Sequence, residues 1–164
     1  MSASEYRAPK EWRGRFFEDF AVGQTRRYGG RSLTAADIVR FAREFDPQAY
    51  HTDPEAAKGS IFGGLVASGL HTQAFVLRMI FDQSLQGGTA LASPGIDEVR
   101  WTQPVRPGDT LTVETTVTAT VPSRGRPDRG LVKMKHVVAN QTGTTVMTMQ
   151  GMAFFKRRPK DATA

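Results

Sequence analysis

Leu70-His71-Thr72-Gln73-Ala74-Phe75-Val76-Leu77-Arg78-Met79-Ile80-Phe81-Asp82-Gln83-Ser84-Leu85 carries apolar side chains on almost every side of a helix. Leu70, Ala74, Leu77 and Phe81 form one stripe, and Phe75, Val76, Met79 and Ile80 fill most of the remaining circumference. A helix with so little polar surface is predicted to be buried. Downstream, Ile96 to Thr102, Asp109 to Val121, Leu131 to Asn140 and Thr144 to Phe155 are rich in Val, Thr, Met and aromatics. They read as four strands. Pro107-Gly108, the Pro122 to Gly130 loop and Gln141-Thr142-Gly143 separate them and are short enough for antiparallel neighbours.

Upstream of the apolar run, Phe16, Phe17, Phe20 and Val22 lead into a first strand around Gln24 to Tyr28, which Gly29-Gly30 is expected to stop. Thr34 with Asp37 three residues on resembles a capping box, and Ile38, Phe41, Ala42 and Phe45 follow at helical spacing. Pro47 disfavours helical geometry at Asp46, so that helix should end there. Asp53-Pro54-Glu55 reads as a cap with proline in the first turn of a short helix through Lys58. A sheet with one wet face cannot cover an all-apolar helix unless it curls around it. The predicted fold is therefore α+β: a curved antiparallel sheet wrapped around a long central apolar helix, the hot-dog arrangement. Residues 16–156 form this single domain, residues 1–15 are expected to be a flexible arm, and residues 157–164 a basic tail.

The chain of 164 residues suits one core. Its net charge of +6 sits at the ends, with +2 over residues 1–15, +3 over residues 156–164 and only +1 between. A duplex-binding domain needs its cations on one structured face, so nucleic acid is not the expected partner. The absence of cysteine excludes thiolate nucleophiles, disulfides and thiolate-bound metals. No run approaches a membrane span and no secretory leader is evident, which predicts a cytoplasmic protein with no membrane partner. Gly64 to Gly69 opens like a phosphate-binding loop but continues Leu70-His71 where Lys and Ser or Thr are needed, so nucleotide hydrolysis is not indicated. No G-x-S-x-G serine is present, and His51 and His71 are too far apart for a local zinc pair, so no metal is expected.

The chemistry concentrates in Phe45-Asp46-Pro47-Gln48-Ala49-Tyr50-His51-Thr52-Asp53-Pro54 and in Ser60-Ile61-Phe62-Gly63-Gly64-Leu65-Val66-Ala67-Ser68-Gly69-Leu70-His71-Thr72. On a continuous helix, positions five apart diverge by about 140°, so Asp46 and His51 could share a target only if the chain breaks between them. Pro47 supplies the break. The start of the Leu70 helix offers unpaired amides and a positive dipole end for a developing anion, with Gly69 giving room for close approach. Either residue alone reads blandly, Asp46 as a helix-end acceptor and His51 as a satisfied buried imidazole. Asp53 reads as a cap, and His136, mid-strand, as structural.

These segments resemble the MaoC-like dehydratases and (R)-specific enoyl-CoA hydratases. That family carries an acidic residue, a histidine five positions on followed by x-Asp, and a glycine eighteen beyond the histidine at the central helix. Asp46, His51, Asp53 and Gly69 stand at those positions. The resemblance implies a hydro-lyase in which Asp46 and His51 activate water on an enoyl thioester, with Gly69 and Ser68 by the oxyanion or substrate; His71, one turn into the central helix, could reach substrate or pack in the core. Phe62 and Phe75 would then line the acyl pocket, coenzyme A would be only the substrate carrier, and no other cofactor is implied. Two departures stand out. Gln48-Ala49 replaces the usual Asn-Pro, and Leu77 and Ser68 occupy places where some members have serine and histidine. The open sheet edges predict a homodimer or dimer of dimers, and Arg124, Arg126 and Arg129 could touch coenzyme phosphates or be solvated. A hot-dog thioesterase is one alternative, although Leu70 to Phe81 lacks the carboxylate it would use. A non-catalytic acyl-thioester binding module is the other.

Overall fold

The computed structural model describes residues 14–85 and 87–159, without the Ser84 side chain. After a 3-10 turn at Phe17–Asp19 come strand β1 (Thr25–Ser32) and helices α1 (Ala35–Phe45), α2 (Ala49–Thr52) and α3 (Pro54–Lys58). Helix α4 (Gly69–Ile80) continues into one π-helical turn, Phe81–Leu85. Strands β2 (Ala90–Ala92), β3 (Ile96–Trp101), β4 (Thr110–Pro122), β5 (Arg129–Ala139) and β6 (Thr145–Lys156) complete the chain. The sheet runs β1-β4-β5-β6-β2, all antiparallel, with β3 also on the outer flank of β6. Thus β2 and β3 are two halves of one edge, and β1 is the other.

Alternation along β4 and β5 buries Leu111, Val113, Thr115 and Val117 and, opposite them, Val132, Met134, His136 and Val138. That face packs on Val76, Met79 and Ile80 of α4, which gives the hot-dog fold its core. A second cluster, with Phe17, Phe20, Val132 and Phe155, closes the far end of the sheet.

Helix α1 starts as read, with Thr34 Oγ1 accepting from the Asp37 amide at 3.1 Å, and its cap Asp46 follows Phe45. Three expectations need correction. Gly29-Gly30 does not stop β1: the strand runs on to Ser32 through a bulge. Gly29 has φ +121°, and a Cβ there would lie 2.7 Å from the Leu111 carbonyl oxygen, so this glycine permits close approach of two strands. Second, α4 is not covered all round, because the sheet wraps one side only. Leu70, Leu77 and Phe81 remain 53%, 54% and 46% exposed on the other. Third, the basic ends are not simply solvated. Arg15 is buried and stacks 3.9 Å over the Phe20 ring, Arg157 Nε donates to Glu18 at 2.8 Å, and Arg158 donates to Asp19 at 2.7 Å. Opposite charges on the 3-10 turn hold them. Residues 1–13 of the expected arm and 160–164 of the expected tail lie outside the described residues.

Candidate active site

Asp46 ends α1 in a non-helical conformation (φ −154°, ψ 70°), as the following proline requires. Gln48 then caps the four-residue helix α2, which carries Tyr50 and His51. The break that Pro47 supplies is confined to Asp46-Pro47-Gln48, and one turn of helix re-aims His51 toward Asp46. Asp53 caps α3, its Oδ1 accepting from the amides of Glu55 and Ala56 at 2.8 and 3.2 Å. Residues 66 and 67 are clamped, the Val66 amide on the Tyr50 carbonyl at 3.2 Å and the Ala67 amide on the Val105 carbonyl at 2.8 Å. The clamp fixes the carbonyl that His51 uses.

His51 is 6% exposed, and its Nδ1 lies 2.7 Å from the Val66 carbonyl oxygen. A carbonyl can only accept, so Nδ1 carries a proton, and in the neutral form of the ring the lone pair is at Nε2. That nitrogen faces Asp46 Oδ2 at 3.5 Å, long for a direct hydrogen bond and suited to two groups that share one water. The same Oδ2 accepts from Ser68 Oγ at 2.6 Å, while Oδ1 accepts from Gln48 Nε2 at 2.9 Å. Gln48 Oε1 in turn accepts from the Tyr50 hydroxyl. The Ser68 bond first, and the Gln48 bond second, hold the Asp46 carboxyl below its ordinary range. Asp46 is therefore held as an ionised acceptor facing His51 Nε2.

Both groups line a cavity of about 450 Å³ together with Phe62, Ser68, Gly69, Leu70, Trp101 and Val105. It opens at the start of α4. There the Leu70 amide is taken by Ser68 Oγ at 3.2 Å and the Thr72 amide by the Ser68 carbonyl at 3.0 Å. No described residue accepts from the Gly69 amide, which leaves a donor at the positive end of the helix. Gly69 is required for a reason the sequence did not show. A Cβ there would lie 2.7 to 3.1 Å from the Trp101 indole, so the ring occupies the space the sequence reading reserved for substrate.

The remaining candidates separate. Phe62 lines the cavity and tilts against Tyr50 at 5.1 Å. Ser68 is 1% exposed and serves both Asp46 and the α4 cap, an anchor for the carboxylate more than a surface for substrate. His71 is not among the cavity residues. It stacks on Phe41 with centroids 4.4 Å apart, its Nδ1 is enclosed without a partner, and burial lowers its pKa. Phe75 packs against the core beneath Arg31, away from the cavity. Arg124, Arg126 and Arg129 lie at the β4–β5 turn, whereas the cavity adjoins the segment between β3 and the start of β4. They stand the length of β4 from this chain's own site. Gln48, Tyr50 and Trp101 are among the cavity residues that the sequence did not single out; an amide two residues from Asp46 was the available signal for Gln48.

No three His, Cys, Asp or Glu side chains among the described residues could hold a metal ion, and no described helix is long and apolar enough to cross a membrane. Comparison with known proteins agrees with the architecture. The chain is similar to the solved MaoC-like dehydratase of Rhodospirillum rubrum, with 44% identity, TM-score 0.83, and coverage of 89% of this chain and 99% of that one. It is similar to the R-hydratase PhaJ1 of Pseudomonas aeruginosa, at 26% identity and TM-score 0.70 over 87% of this chain and 86% of that one. It is also 29% identical to the (R)-specific enoyl-CoA hydratase of Rhodospirillum rubrum over 114 residues, 66% of this chain and 74% of that protein. Residues 19–140, which span Asp46, His51 and the whole of α4, match the MaoC-like domain model, and the chain belongs to that family.

Proposed function

We propose that this protein is a hydro-lyase that adds water reversibly to a trans-2-enoyl thioester of coenzyme A to give the (R)-3-hydroxyacyl thioester. The observation that carries this reading is the single gap between His51 Nε2 and Asp46 Oδ2, 3.5 Å wide, inside a cavity beside an unpaired helix amide. Asp46 accepts one hydrogen of a water seated on the cavity side of the two atoms, in contact with both. His51 Nε2 takes the other as the water oxygen bonds to C3. The π electrons move onto the thioester oxygen, where the Gly69 amide and the α4 dipole stabilise the enolate; one such donor contributes roughly 10²–10³ in rate. The imidazolium, held beside the carboxylate, returns its proton to C2 as the carbonyl re-forms, so that water is added and nothing else is consumed. The relatives' names support the (R) stereochemistry. Among the described residues, α4 carries no carboxylate that could aim water at the thioester carbonyl, which disfavours the thioesterase reading.

The open edges of β1 and of β2–β3, with the exposed Leu70, Leu77 and Phe81 stripe, favour assembly as a homodimer or dimer of dimers. Coenzyme A serves as the carrier, no cofactor takes part, and the expected setting is the cytoplasm. Incubation with crotonyl-CoA tests the activity. Loss of the conjugated enoyl absorbance without release of free thiol is expected, with (R)-3-hydroxybutyryl-CoA as product. Thiol release would instead indicate a thioesterase, and binding without either change a non-catalytic module.

A further inference from the structure

A second cavity, of about 420 Å³, runs between α4 and the sheet on the β3 side. Its walls are mostly apolar, with Leu77, Ile80, Ile96, Met134 and Met149 among them, and its polar side chains are Gln73, His136 and Ser93, the last tied by its Oγ to the Met152 carbonyl at 2.7 Å. His136 is 2% exposed, and its only described partner is Thr115 Oγ1, 2.8 Å from Nδ1. Thr115 Oγ1 is also 2.6 Å from the Tyr28 hydroxyl. Tyr28 and Thr115 are 5% and 6% exposed.

The direction of this chain of bonds can be deduced. The Tyr28 hydroxyl stays protonated, burial pushing its pKa up to about 12. Thr115 Oγ1 is its sole described partner, so it must donate there or leave a buried O–H unpaired, at about 1–3 kcal/mol. Thr115 then donates its own hydrogen to His136 Nδ1. A neutral ring with Nδ1 as acceptor carries its proton on Nε2. Nothing described accepts from that Nε2–H. It points past Gly151, which also lines the cavity: a Cβ on Gly151 would stand 3.8 Å from Nε2. Here the glycine keeps the approach to the N–H open.

The two cavities have Leu70 in common, on the first turn of α4. An acyl chain whose thioester lies at the Gly69 amide therefore needs only to pass that side chain to enter the second cavity. Building on the proposed hydratase reading, we infer that His136 is a specificity-determining residue whose Nε2–H donates to a neutral oxygen, a ketone or hydroxyl, carried part-way along the substrate's acyl chain. A plain hydrocarbon chain would fill the same walls but strand the donor, and a carboxylate would bring a charge into a lining that holds no cation.

The test compares medium-chain 2-enoyl-CoA thioesters that bear a ketone or hydroxyl at successive positions with the unsubstituted chains. At one position the oxygenated chain is expected to show kcat/KM about tenfold higher. His136→Phe should abolish or invert that ratio. Gly151→Ala, which meets only ordinary contacts and so leaves the fold intact, should reduce it by narrowing the approach. Binding is read separately from turnover, by the imidazole 15N shift of His136 on titration with the corresponding saturated acyl-CoA, with and without the oxygen. Equal kcat/KM at every position, a preference that survives both substitutions, or a His136 signal that ignores the oxygen would each overturn the proposal. Failure to turn over any enoyl thioester, with the His136 shift still responding only to the oxygenated chain, would overturn the hydratase reading and leave this one standing.

Discussion

The molecule holds two buried imidazoles that each fix Nδ1 and turn Nε2 toward a cavity, and they do opposite things with it. At the mouth of α4, His51 gives its Nδ1 proton to the Val66 carbonyl and presents a lone pair opposite an ionised Asp46. On the sheet, His136 receives at Nδ1 from Thr115 and presents an N–H to an apolar space. The difference lies entirely in the atom beyond Nδ1. A carbonyl can only accept, whereas a hydroxyl fed by a tyrosine has a hydrogen to give. Burial alone does not make a histidine catalytic; the tautomer and the companion charge do.

The comparison breaks most visibly in turnover. Asp46→Asn and His51→Ala are each expected to lower kcat with crotonyl-CoA by about 10²–10⁴, and the double variant by little more than the worse single one, since the two hold one water. Activity that survives both would remove Asp46 and His51 from the chemistry. The next effect belongs to His136. Burial lowers its pKa from the ordinary 6.5 to about 4, so the folded state resists the proton that the unfolded chain accepts. Its contribution to stability is complete above about pH 6.5 and is lost as pH falls toward 4, by about 3 kcal/mol. Urea unfolding across that window should show the slope, and His136→Asn should flatten it, leaving the share that buried His71 contributes in the same direction.

A smaller change sharpens the role of Ser68. Its hydroxyl stabilises the ionised form of Asp46, so Ser68→Ala should raise that pKa and move the acid limb of the pH–rate profile upward. Loss of the α4 cap should cost about 1 kcal/mol in thermal unfolding at the same time. An unchanged acid limb would mean the bond does not tune the carboxylate. The least perturbing measurement is also the most direct: imidazole 15N spectra at neutral pH should show Nδ1 protonated in His51 and Nε2 protonated in His136. The same tautomer at both sites would erase the contrast.

Much of this was legible along the chain because it depends on near neighbours. The Thr34 and Asp53 caps, the helix break at Pro47 and the alternation of β4 to β6 are all decided within a few residues, and α4 announced itself by composition. The Asp46 and His51 pair came from the family resemblance, and the break at Pro47 showed only that positions five apart could converge. What failed involved atoms from distant segments. Gly29-Gly30 looked like a stop because its reason, the Leu111 carbonyl, lies 82 or so positions away on β4. Phe75 looked like a pocket residue, and His71 stayed open between substrate and core, because a helical wheel cannot say which side a sheet will cover. Ser68 was expected beside the oxyanion or substrate, although its hydroxyl is spent on the Asp46 carboxylate.

By itself, then, the sequence determined where the backbone turns, which faces are apolar and which titratable groups could meet, since those follow from local torsions and side-chain periodicity. The tertiary structure alone decided the proton positions on His51 and His136, the ionisation of Asp46 and the packing of Trp101 on Gly69. Hydrogen bonds and close contacts operate over about 3 Å, and only the folded chain brings residues such as Val66, Thr115 and Ser68 to within that distance of their partners.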